Sequence, residues 1–134
     1  MESKYLGKSV KQPIEELDTF PAPEGISQVR MTSDEVTSSC PVTGQPDFYT
    51  VRIEYLPQSL CIESKSLKLY LWSFASRAVF AEKLAAEIRD RVVNDISPKS
   101  CSVTTIQKSR GGISIETIAS FPFPEYPLSG TKIV

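Results

Sequence analysis

Strict alternation of apolar and polar side chains is the clearest signal in the chain. From Phe48 to Leu56, Val51, Ile53 and Tyr55 fall on one face and Thr50, Arg52 and Glu54 on the other, which predicts a half-buried strand. Ile26 to Thr32 alternates more briefly through Val29 and Met31 and predicts a short strand. Between them, Thr37 to Asp47 carries Ser38, Ser39, Pro41, Gly44 and Pro46 and reads as a turn-rich loop. Pro57 ends the alternating strand, and Leu60 to Glu63 is a short extended piece. Ser64 then offers a cap to a helix starting near Lys65, with Leu67, Tyr70, Leu71 and Phe74 at helical spacing. Phe80, Ala81, Leu84, Ala85, Ile88, Val92 and Ile96 form the apolar stripe of a second helix, which Ser97-Pro98 stops. Cys101 to Lys108 and Ile113 to Ile118 read as strands joined by a turn at Arg110-Gly111-Gly112.

The predicted order is β-β-α-α-β-β. An α+β layer follows: a four-stranded antiparallel sheet with two helices on one face. Such a sheet leaves two edge strands open to pair with another subunit, which points to a ring-like oligomer. Pro13, Pro21, Pro23 and Gly25 mark residues 1–25 as an irregular, mobile N-terminal arm. Residues 26–120 are then a single domain, and residues 121–134 a proline-rich tail.

Composition narrows the chemistry. At 134 residues the length suits one domain, and a net charge of −1 lacks the basic excess of a general nucleic-acid binder. The stretch from Leu67 to Ile96 is broken by nine charged residues and does not read as a membrane span. The chain has no histidine, which excludes Ser-His-Asp and Cys-His catalysis, HExxH sites and two-His zinc centres. Cys40, Cys61 and Cys101 lack CxxC spacing, so no metal site is expected, and this sparse set fits the reducing cytoplasm. Cys61 and Cys101 fall in strand-like segments and read as structural.

Four short segments carry candidate chemistry. Cys40 lies in Ser39-Cys40-Pro41-Val42-Thr43-Gly44-Gln45-Pro46-Asp47, a turn-rich loop with a carboxylate seven residues on. It is either a small buried side chain or a nucleophile, and as a nucleophile it needs a neighbouring base or loop donors to form thiolate. Asp47 either opens an Asx turn or exchanges protons at that site. Lys65 and Lys68, three apart in Glu63-Ser64-Lys65-Ser66-Leu67-Lys68-Leu69-Tyr70, share a helix face. That is either a solvated surface or a meeting point for a phosphate, with Arg110 as a third cation. Glu82 follows Phe80-Ala81 at the edge of the apolar stripe. It is either a surface carboxylate or an acceptor for the paired N–H donors of a guanine-like base.

Together with Arg110-Gly111-Gly112-Ile113-Ser114, these segments resemble the short, single-module NADPH-dependent 7-cyano-7-deazaguanine reductases of queuosine biosynthesis (QueF). The resemblance covers Thr37 to Ile115. It implies a tunnelling fold (T-fold) that joins edge to edge into rings, as stacked pentamers, with active sites at subunit boundaries. It implies reduction of a nitrile to a primary amine in two hydride steps with two NADPH, serving tRNA modification. By that resemblance Cys40 attacks the nitrile carbon to form a covalent thioimide, and Asp47 is the proton donor. Glu82 reads the base's amino edge. Ile62, Glu63 and Ser64 line the base pocket, with Phe80 and Ala81 beside it. Lys65, Lys68, Arg110 and Gly111 match positions that bind NADPH.

Many members of that family carry His just before the edge-reading Glu, where this chain has Ala81. The change removes a polar group near the nitrile, and substrate binding and thioimide formation are expected to persist without it. Two other functions share the fold's outline. An amidinotransferase acts on cyano-deazaguanine already in tRNA and uses ammonia, so it has no need of the three cations. A non-catalytic homologue would hold the base without forming amine. A metal-dependent cyclohydrolase is excluded by the missing histidines.

Overall fold

The alternating segment is the second strand of the main sheet. In the computed structural model, which describes residues 12–123, the elements are β1 (Thr19–Pro21), β2 (Val29–Ser39), β3 (Pro46–Leu56), β4 (Leu60–Ile62), α1 (Ser64–Trp72), a 3-10 helix (Ser73–Ser76), α2 (Ala81–Ile96), β5 (Ser100–Arg110) and β6 (Ile113–Phe121). The four long strands form one antiparallel sheet in the order β2-β3-β5-β6, while β1 and β4 make a separate two-stranded ribbon. The expected β-β-α-α-β-β order is that of the main sheet and its helices.

On β3, Asp47, Tyr49, Val51, Ile53 and Tyr55 are buried and the residues between them are not. Their partners on β5 continue that face: Val51 opposite Thr105, Ile53 opposite Val103, Tyr55 opposite Cys101. Side chains two apart share a face of a strand, so this face lies against the helices. Helix α2 covers β5 and β6, with Leu84, Ile88, Val92 and Ile96 fully buried. Each is worth about 1.5–3 kcal/mol of burial, which holds α2 in place. The other helical segment lies beside β2. No helix among the described residues is long and apolar enough to cross a membrane.

Four expectations are corrected. The turn-rich stretch Thr37 to Asp47 is mostly strand: β2 runs on to Ser39 and β3 starts at Pro46. Ser38 and Ser39 look like turn residues in isolation, yet they pair with Asp47 and Pro46, and cross-strand packing overrides local preference. Glu63, not Ser64, caps α1, because its side chain reaches two orphan amides of the first turn. Phe80 is not part of the buried stripe; it caps α2 and is 59% exposed.

The fourth concerns the N-terminal arm. Ile14, Leu17, Asp18 and Thr19 are buried, β1 pairs with β4, and Ile14 N donates to Leu69 O at 3.3 Å. The amide of Leu17 donates to Asp95 Oδ2 at 2.8 Å, and Arg91 Nη1 donates to Glu15 O at 2.9 Å. The apolar and charged residues between the prolines bind this segment to both helices. Residues 1–11 lie outside the described residues, as does the proline-rich tail from residue 124. The last strand also runs past the expected domain edge at residue 120, to Phe121.

Candidate active site

One end of the sheet, on its helix-covered face, gathers the chemistry. The β2–β3 hairpin closes with Cys40 N donating to Gln45 O at 2.7 Å and Gly44 N donating to Cys40 O at 2.9 Å. Gly44 has φ 73, a backbone state that costs other residues about 1–2 kcal/mol. This turn leaves Cys40 half-buried. The Thr43 side chain, then the backbone of Thr43 and Val42, hold the Cys40 thiol below its ordinary pKa, while burial and the charge of Asp47 push the other way. A lowered thiol pKa means more thiolate at neutral pH, which is what a nucleophilic cysteine needs.

Asp47 is buried because it shares the inward face of β3 with Tyr49. Its Oδ1 is paired with Nη1 of Arg110, and Nη2 of Arg110 donates to Gln45 Oε1 at 2.9 Å. That hydrogen bond to Asp47 is the main cause lifting the Arg110 pKa, with smaller support from the charge of Cys40. Tyr49 is fully buried and its hydroxyl accepts from Ser38 Oγ at 3.1 Å. Burial raises the Tyr49 pKa, and the charges of Asp47, Cys40 and Glu82 add to the rise. Glu82 is exposed in the first turn of α2, where the helix dipole favours a negative charge. Cys40, Asp47 and Arg110 are thus brought within electrostatic reach of one another, and Glu82 reaches the same Tyr49 that they do. Beside them, Ala81 is buried and its carbonyl accepts from Thr105 Oγ1 at 3.4 Å, while Gly111 turns the chain after Arg110 with φ 60.

Ile62, Glu63, Ser64, Lys65 and Lys68 lie elsewhere. Ile62 is buried in β4, and its amide donates to the hydroxyl of Tyr55 at 2.9 Å. Tyr55 is eight residues along β3 from Asp47, about 26 Å of strand. Glu63 is also buried: its Oε2 accepts from Lys65 N at 2.7 Å and its Oε1 from Ser66 N at 2.9 Å. Ser64 and Lys68 line a groove of about 760 Å³ between α1 and β2, with Val36 and Trp72. Within one chain, then, Ile62 and Glu63 stand at the far end of β3 from Asp47, while the groove of Ser64 and Lys68 runs along β2 as far as Thr37, the partner of Phe48.

Three contributors escaped sequence reasoning. Thr43 tunes the thiol, Gln45 anchors the guanidinium, and Tyr49 lines the inward face next to Asp47. The period of two that marked Val51 and Ile53 as buried also reaches back to Tyr49 and Asp47, so the signal for Tyr49 was present. Neither buried thiol joins the group: Cys61 is in β4 and Cys101 in β5.

Residues 46–124 match the family described as QueF-like protein. The NADPH-dependent 7-cyano-7-deazaguanine reductase of Syntrophus aciditrophicus (strain SB) is 44% identical over 121 residues, covering 89% of this chain and 86% of that protein. The protein of the same name from Alkalilimnicola ehrlichii is 42% identical over 115 residues, covering 84% and 89%. That from Bacteroides fragilis (strain YCH46) is 46% identical over 110 residues, covering 82% and 70%. Among solved structures, the archaeosine synthase QueF-Like in the apo form superposes with a TM-score of 0.68 at 25% identity, over 72% of this chain and 95% of the other.

Proposed function

The chain belongs to the QueF-like family, and on that premise we propose that it is an NADPH-dependent oxidoreductase reducing the nitrile of 7-cyano-7-deazaguanine to 7-aminomethyl-7-deazaguanine. This assigns it to queuosine biosynthesis and so to tRNA modification. The observation that carries the reading is Cys40, a half-buried thiol held below its ordinary pKa beside a buried carboxylate, Asp47. A nitrile carbon is a poor acceptor, and attachment to sulfur divides one hard step into easier ones. Cys40 Sγ adds to the nitrile carbon to give a thioimide, and Asp47 moves the accompanying proton to the nitrogen. Glu82 accepts the amino-edge N–H groups of the base, and exposed Phe80 supplies a wall next to it. Ala81 offers no side-chain donor there, so proton movement falls to Asp47.

NADPH, when bound, supplies the hydrides. The donors present suit its phosphates: the Lys68 ammonium and Ser64 hydroxyl on the groove wall, with Lys65 one turn away, and the Arg110 guanidinium next to Gly111. Because Ile62 and Glu63 stand apart from Cys40, the complete site takes this strand-end segment from a neighbouring copy. The sheet ends in two strands, β2 and β6, each with one unpaired side available for that association into rings. A reduced Cys40 is required throughout, which fits a cytoplasmic enzyme.

Likeness to an archaeosine synthase favours a second reading, the ammonia-dependent conversion of cyano-deazaguanine in tRNA. The reductases are the stronger match at 42–46% identity against 25%. Incubation with 7-cyano-7-deazaguanine and NADPH tests the assignment, following cofactor oxidation and product mass together. Two NADPH oxidised per amine formed is expected for wild type, and intact mass should show an adduct that Cys40→Ala lacks. Turnover only with ammonia and modified tRNA would select the second reading, and binding without amine would mark a non-catalytic homologue.

A further inference from the structure

Arg110 is placed for more than holding a phosphate. Its guanidinium spans Oδ1 of Asp47 and Oε1 of Gln45, so it ties the buried carboxylate to the hairpin that carries Cys40. The Asp47 side chain is 5% exposed and that of Arg110 39%, so the cation caps the carboxylate from the solvent side. Arg110 is the last residue of β5, the β5–β6 register shifts between Gln107 and Arg110, and Gly111 and Gly112 follow with φ 60 and 79. Such an irregularity at a strand end re-aims a side chain out of the regular ladder.

We propose that Arg110 is a positioning residue that acts through Asp47: it fixes that carboxylate and offsets its charge beside Cys40, and it leaves the pair when an anionic phosphate takes its guanidinium. The inference rests on Cys40 and Asp47 being the nucleophile and the proton carrier. The paired Asp47 is an acceptor only. It takes the Cys40 Sγ proton as the S–C bond forms and one C–N π bond opens. The same proton then passes to the nitrile nitrogen, and nothing is oxidised or reduced in this step. A cation on the carboxylate opposes its protonation, so withdrawal of Arg110 favours the first transfer and its presence favours the second. Phosphate and Asp47 therefore compete for one guanidinium, and the coupling reads equally from either side.

The charge around Cys40 makes the role measurable. Asp47 and Tyr49 reach it from β3 and Arg110 from β5, Glu82 on α2 reaches the neighbouring Tyr49, and Arg77, at the bridge beside Ser39, is tied to Glu87. Among these, Arg110 is the cation that balances Asp47.

Two measurements on the full chain, neither requiring turnover, test this. In calorimetric titration with NADP+, Asp47→Asn, which removes the competing charge, is expected to bind about threefold tighter or better than wild type, a difference worth about 0.65 kcal/mol. Equal, weaker or undetectable binding overturns the competition. In alkylation of Cys40 by iodoacetamide across a pH series, without cofactor, Arg110→Ala is expected to move the profile to higher pH and slow the reaction about threefold at neutral pH. Arg110→Lys, which keeps a cation, is expected to recover most of the rate. An Arg110→Ala profile superimposable on wild type overturns the role at Asp47. Nitrile reduction by wild type is scored separately, so failure of the functional reading is distinguished from failure of this pair.

Discussion

Glu63 Oε1 accepts the amide of Ser66 at 2.9 Å, and that bond decides where α1 begins. With Oε2 taken by the amide of Lys65, the carboxylate serves two of the donors that every helix start leaves unpaired. Glu63→Ala is therefore expected to cost about 1 kcal/mol or more of stability, the usual loss of an N-cap. Glu63→Gln, which keeps one acceptor oxygen, is expected to lose less. Thermal unfolding of both variants checks this, and an unchanged melting temperature for Glu63→Ala refutes the cap.

Thr43→Val tests the tuning of Cys40. The Thr43 side chain is the largest influence lowering the Cys40 pKa. Without it the pKa rises, the thiolate fraction at neutral pH falls, and alkylation of Cys40 slows several-fold with its profile displaced to higher pH. Peptide mapping after alkylation separates Cys40 from Cys61 and Cys101, and an unshifted profile excludes Thr43 as the donor.

Glu82→Ala tests the base-reading role. Glu82 is exposed, so its loss is expected to leave the melting temperature within about a degree or two, since surface changes seldom exceed ±0.5 kcal/mol. Affinity for 7-cyano-7-deazaguanine should fall by about 1.5–3 kcal/mol, the scale of a hydrogen bond to a charged group. Calorimetry reads the second effect, and unchanged affinity removes Glu82 from the pocket.

Alkaline pH should weaken the fold through Cys101. Burial pushes this thiol from its ordinary 9.0 up to about 11. Unfolding lets it ionise at the lower value, so above pH 9 the unfolded state holds fewer protons than the folded one. The stability from the neutral buried thiol is complete below pH 9 and is lost as pH rises towards 11. Denaturant unfolding from pH 8 to 11 is expected to show this slope, and Cys101→Ala should flatten it. An equally steep slope in the variant contradicts the assignment.

Much of the architecture was legible because burial writes itself as periodicity. Val51, Ile53 and Tyr55 announced β3, and Leu84, Ile88, Val92 and Ile96 announced α2. Ser38 and Ser39 read otherwise for the opposite reason: short polar side chains have weak local preferences, and pairing with Asp47 and Pro46 decided their structure. The cap passed from Ser64 to Glu63 because the longer carboxylate reaches the amides of Lys65 and Ser66 together. In the site, Cys40 and Asp47 stood seven residues apart, a spacing a hairpin folds into neighbours. Arg110 was visible as a cation, but its pairing with Asp47 depends on β5 lying next to β3, a fact that no local pattern contains.

The segment before β1 has a consequence for the order of events in folding. Leu17 is fastened to a carboxylate 78 positions later, and Asp18 to a hydroxyl 48 positions later. These residues emerge early in synthesis, yet their seats exist only once both helices have been made. We expect them to act as a clasp that closes last. Contacts absent from the folding barrier govern how fast a protein comes apart rather than how fast it assembles, so trimming the clasp should shorten the lifetime of the native chain while leaving its speed of formation almost untouched.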